Sequence, residues 1–149
     1  MHKLAVVSLL CFFASPLQAW WGDGHALLTQ AAVVALPDEV PEFFRAGADV
    51  AAAASIDADL YKNRGVPNLN RTEHSEHFFD LELLKGEAIP AQRYDFISLC
   101  QKLGVAPERV GLVPYAVAEW TGRLAVAFAE YRKFPDNEAV QAKCLLYAG

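Results

Sequence analysis

Proline and glycine interrupt this chain at intervals that leave helix-length segments between them, and this spacing limits the fold more than any other feature. Residues 25–36 are dominated by Ala and Leu and are stopped by Pro37, whose ring cannot continue a helix. Residues 41–54 form a second candidate. Pro41 occupies a tolerated first-turn position, and Gly47 stands where the segment can divide. Residues 91–103 end at Gly104, a residue suited to a helix terminus. Residues 113–134 make the longest candidate. Leu112, Tyr115, Ala116, Glu119, Trp120, Leu124, Phe128 and Tyr131 recur mostly at steps of three or four, and Pro135 closes the run. Residues 137–147 begin a last helix, with Val140, Cys144 and Tyr147 on one face. Residues 63–73 hold Gly, Pro and three Asn and predict a loop. Residues 77–84 alternate weakly, as a short extended piece or a helical turn does. With no convincing run of strands, the pattern predicts an all-α, compact multi-helix domain.

The first residues carry a different message. A charged start at Met1 to Lys3 precedes an apolar run at residues 4–14 that only Ser8 interrupts, and residues 15–19 leave it through Pro16 to a small Ala19. These are the three parts of a secretory signal peptide. The apolar run is too short to span a bilayer, which takes about 20 residues. Cys11 lies inside the run and not at its exit, which argues against a lipid-anchored start. The expectation is cleavage after Ala19, export to the periplasm or the medium, and a mature chain of residues 20–149 as one domain. Loss of Lys3 lowers the basic residues from 13 to 12 against 18 acidic ones, a mature charge of −6. With 54% hydrophobic and 21% charged residues the chain is not disordered. It has no basic tail or stripe, so charge alone does not capture nucleic acid. A phosphate ligand needs local positive charge here, which bound metal supplies.

Two features have the chemistry for metal. Trp20, exposed by signal cleavage, would carry a free α-amino group with a pKa near 7.7–8.0. Its amine and carbonyl oxygen form a five-membered chelate, His25 adds an imidazole five residues on, and Gly22 and Gly24 let the chain fold back. The second feature pairs Asp59, near the end of an Ala-rich segment, with His77 eighteen residues later in Glu76-His77-Phe78-Phe79-Asp80. Asp57 is the alternative to Asp59. His74 sits in a polar stretch and is expected to face solvent. Asn70-Arg71-Thr72 fits a glycosylation sequon, and Cys100 and Cys144 permit either one disulfide or two buried thiols.

Trp20, Gly24-His25, Ala58-Asp59 and Glu76-His77-Phe78-Phe79-Asp80, in this order, resemble the superfamily of zinc-dependent single-strand-specific nucleases and zinc-dependent bacterial phospholipases C. The resemblance covers residues 20–80, and the later helices are compatible with the superfamily's all-α body. It implies a phosphodiesterase with up to three Zn2+ ions, acting on single-stranded nucleic acid or on a phospholipid head group. Trp20 and His25 would hold one zinc, and Asp59 and His77 another. Asp59, the candidate catalytic residue, would also orient the attacking water. Lys62 stands three residues past Asp59, where the nucleases carry a basic residue, and favours the nuclease form. The superfamily completes both sites with a later His-x-x-x-Asp segment, whereas this sequence has no histidine after His77 and ends on an apolar helix. The expectation is therefore the N-terminal part of such a domain, poorly active by itself. The competing expectation is a non-catalytic exported helical protein that binds or supports a partner.

Overall fold

Helices make up the regular structure of residues 22–149, the part of the chain that the computed structural model describes, with no strand among the described residues. The expected leader and Trp20 lie outside them. The order is α1 (Gly22–Val34), α2 (Glu42–Ala46), α3 (Ala48–Ala54), α4 (Asp57–Tyr61), α5 (Pro67–Ser75), a 3-10 turn (Leu81–Leu84), α6 (Arg93–Leu103), α7 (Pro107–Val110), α8 (Val113–Tyr131) and α9 (Glu138–Ala148). None of the described helices is long and apolar enough to cross a membrane.

The apolar faces assemble two cores. The first joins Val33 of α1, Phe44 of α2, Ala51 of α3, Ala127 of α8, and Cys144 and Leu145 of α9. Gly47 divides α2 from α3 as expected, and it also lets α9 close in, because a Cβ there would collide with Leu145. The second core joins Leu84, Phe96, Cys100, Val110, Leu112 and Tyr115. Phe96 is fully buried between Phe79 and Tyr115, with ring centroids 5.6 and 5.0 Å away. Burying a side chain of this size stabilises by about 2–3 kcal/mol. α8 serves both cores, its first turn the second and its later turns the first. Arg45 closes the α1–α2 connection by donating to the carbonyls of Leu36, Pro37, Asp38 and Val40. The Pro37 carbonyl also accepts from the Val40 amide at 3.1 Å, and Arg45 serves the others past the end of α1.

One expectation changes, and two open alternatives are decided. Most of the loop expected at 63–73 is helix: Pro67 starts α5 at a first-turn position and only Ser75 of that helix is buried. A polar helix with one buried residue has no apolar stripe for sequence periodicity to detect. Only the stretch before it turns, where the Asn63 side chain accepts from the Gly65 amide. Of the two forms considered for residues 77–84, the helical turn is present as the 3-10 turn at Leu81–Leu84, and residues 77–80 ahead of it are irregular. Cys100 and Cys144 are buried free thiols in separate cores, so they form no disulfide with each other. Burial pushes both thiols up.

Gly111 carries the sharpest backbone requirement. Its φ is +95°, and a Cβ would collide with the Phe78 carbonyl. Gly111→Ala is expected to destabilise the fold by about 2–3 kcal/mol, combining left-handed strain with a backbone clash. Urea denaturation checks this.

Candidate metal centre

His25 lies in the first turn of α1, and the start of that helix is held against the residue preceding α4. A Cβ on Gly22 would lie 2.7 Å from Ile56 Cγ2, so only glycine permits this approach. α4 presents Asp59, with Lys62 just past its end. His77 follows α5 on a segment clamped to residues 110–113. There Leu112 donates to Ser75 at 2.7 Å, Asp80 to Val110 at 2.6 Å, and Val113 to Phe78 at 3.4 Å. Next to His77, Glu76 accepts from Arg93 at 2.7 Å, and the same guanidinium bonds Glu119 of α8 at 2.7 Å. Thus α5, α6 and α8 together fix the direction of this irregular stretch.

These supports bring three of the four expected metal-holding residues together. His25 Nε2 is 3.4 Å from Asp59 Oδ2, and His77 Nε2 is 3.4 Å from Asp59 Oδ1. Lys62 Nζ reaches Asp59 Oδ1 at 2.5 Å. Asp59 and His77 side chains are each 23% exposed and that of His25 39%, so the cluster opens to solvent on the His25 side. Asp57 takes no part: it accepts from the Tyr61 hydroxyl at 3.3 Å, which separates the two aspartates that sequence left as alternatives. His74 is exposed, its ring 5.6 Å from Phe78. Trp20 lies outside the described residues.

His77 is oriented from behind. Its Nδ1 donates to the Glu73 carbonyl at 2.6 Å. A proton held there leaves Nε2 of the neutral ring with its lone pair toward Asp59, the usual support of a metal-binding imidazole. Sequence reasoning missed Glu73, because the group that acts is a backbone oxygen, which every residue has. Burial, and then the neighbouring Glu76, push the Glu73 carboxyl above its ordinary range.

The donor set suits zinc in type and spacing. Two donors on one tetrahedral zinc, each about 2.0–2.1 Å from the ion, stand roughly 3.3 Å apart. Each His–Asp separation is close to that edge. The two histidines, however, address different oxygens, and among the described residues no group of three or more His, Cys, Asp or Glu is placed to hold one ion. What the described residues offer is two two-donor pairs sharing one carboxylate, with the Lys62 ammonium standing as a cation on one side.

Lys62 is the main reason the Asp59 carboxyl lies below its ordinary value, with smaller help from His77 and His25 against the opposing effect of burial. A carboxyl that titrates lower when folded contributes stability that is complete above its unfolded pKa of about 3.9 and is lost as pH falls through the folded value. In metal-free Lys62→Met the Asp59 pKa is expected to rise. The stability gap between wild type and variant is expected to narrow below about pH 4. Carboxyl titration by NMR, with denaturation at several pH values, measures both.

Comparison of the chain with protein-family models, with curated proteins and with solved structures returns no match.

Proposed function

We propose that the protein is an exported zinc-dependent phosphodiesterase, of the nuclease rather than the phospholipase C form, with Trp20, His25, Asp59 and His77 as metal-holding residues and with an activity that needs more ligands than residues 20–149 supply. The observation that carries the reading is the meeting of His25 and His77 on the two oxygens of Asp59. These residues come from three separate segments, and a helical protein using them only for packing has no need to gather them around one carboxylate. Zinc held there would supply Lewis-acid chemistry and would lower the pKa of water toward neutrality, which phosphodiester hydrolysis needs.

The chain's own residues do the rest. Asp59 offers one oxygen to each histidine. His77 keeps its proton on Nδ1, against Glu73, and presents Nε2. Lys62 adds a fixed positive charge beside the carboxylate, which an anionic substrate requires in a chain of net negative charge. Its position past Asp59 supports the nuclease form. The Lys62–Asp59 pair also favours a second reading, a non-catalytic helical protein in which the lysine alone neutralises the aspartate.

Metal analysis separates the two. Mature protein purified without chelator is expected to carry zinc, and a zinc-free product that takes up none on titration supports the non-catalytic reading. One extra residue ahead of Trp20 turns its amine into an amide, and is expected to lower zinc affinity roughly 10-fold or more. Equal binding by the extended protein would remove Trp20 from the site.

A further inference from the structure

α4 carries the carboxylate at the centre of the site, yet none of its residues is buried. A five-residue helix without a buried face does not hold its own position. Its placement comes from contacts at its two ends. At the first, Ile56 packs against Gly22. At the second, the Asn70 side-chain amide reaches from the middle of α5 and donates to the Lys62 carbonyl at 2.7 Å. That carbonyl closes the turn that holds both Asp59 and the lysine paired with it. Less than one turn further along, near its end, α5 supplies the Glu73 carbonyl that holds His77. One helix therefore sets the position of both partners, Asp59 through Asn70 and His77 through Glu73.

The geometry points to Asn70 as a positioning residue that fixes Asp59 relative to His77, an inference that rests on the metal reading of the site. It also gives the Asn70-Arg71-Thr72 sequon a different meaning. The amide nitrogen that a glycan would need is committed to Lys62 in the middle of a helix, so the folded protein uses Asn70 to build the site and not to carry sugar.

The test is a cobalt(II) titration of the mature protein, because cobalt reports ligand geometry through its visible absorption. Asn70→Leu keeps the size of the side chain and removes the donor, and Asn70→Ser is the milder variant if the first does not fold. Thr72→Ala destroys the sequon but leaves Asn70 in place. Wild type and Thr72→Ala are expected to bind cobalt alike and show the same spectrum. The Asn70 variants are expected to bind roughly 10–100-fold more weakly, with an altered absorption band. Saturable wild-type binding, with Asn70 variants that melt at a lower temperature but keep affinity and spectrum, would mean a purely structural role and overturn the inference. An equal loss in Thr72→Ala would also overturn it. No saturable binding by wild type would overturn the metal reading itself, and this inference with it.

Discussion

Asp59→Asn is expected to lower the zinc affinity of residues 20–149 by roughly 100-fold or more and to leave the helical fold in place. The substitution keeps the shape of the side chain and removes its charge. His25 and His77, each 3.4 Å from one of the carboxylate oxygens, lose their common anionic partner together. The Lys62 ammonium loses its ion pair and remains as an uncompensated positive charge beside any incoming cation. The cost in stability is small, on the order of 1 kcal/mol, because the pair is partly exposed and α4 contributes nothing to either core. Calorimetric zinc titration and urea denaturation of the same samples measure the two effects. Unchanged zinc affinity in the variant would remove Asp59 from the ligand set.

The polypeptide of residues 20–149 is expected to show no measurable turnover on single-stranded DNA or on a phosphatidylcholine analogue, even with zinc supplied. The reason is ligand number. Catalytic zinc sites usually hold the ion with three protein ligands and keep one position for water. Asp59 and His77 are two donors, and the sequence has no histidine beyond His77 to add. Weakly held ions do not sustain the activated water on which phosphoryl transfer depends. Assays with and without added zinc, on wild type and His77→Ala, decide the matter. Turnover that disappears in His77→Ala would show that this ligand count is wrong and that the chain suffices for catalysis.

Both expectations draw on residues that the sequence singled out, and the structure treats those residues unequally. His25, Asp59 and His77 stood out because few side chains in this chain have metal-binding chemistry. Their separation along the sequence, however, said nothing about distance in space. The choice between Asp57 and Asp59 was open for the same reason. Two aspartates two positions apart differ by about 200° around a helix at 3.6 residues per turn. Only the direction of α4 decides which of them faces the histidines, and Asp57 turns to Tyr61 instead.

The long helical segments were legible because each leaves a local record. Pro37, Pro41, Gly104 and Pro135 mark ends through backbone restrictions that act wherever the chain goes, and the apolar steps of α8 mark the face it buries. α5 left no such record. Its polar composition resembles a loop, and it is helical because it is supported by the Lys62 carbonyl through Asn70 and by the Leu112 amide at its last carbonyl. The cysteines show the same division. Their number permitted a bridge, and their placement in two different cores decided against one. The sequence by itself determined the helical class, the boundaries set by proline and glycine, and the few residues able to bind metal, since each depends on the chemistry of a residue and its near neighbours. The tertiary structure alone decided that His25 and His77 meet on Asp59, that Lys62 pairs with the same carboxylate, and that Asn70 and the Glu73 carbonyl hold them there. Those relations join segments far apart in the chain, and they depend on how helices pack, which no local pattern encodes.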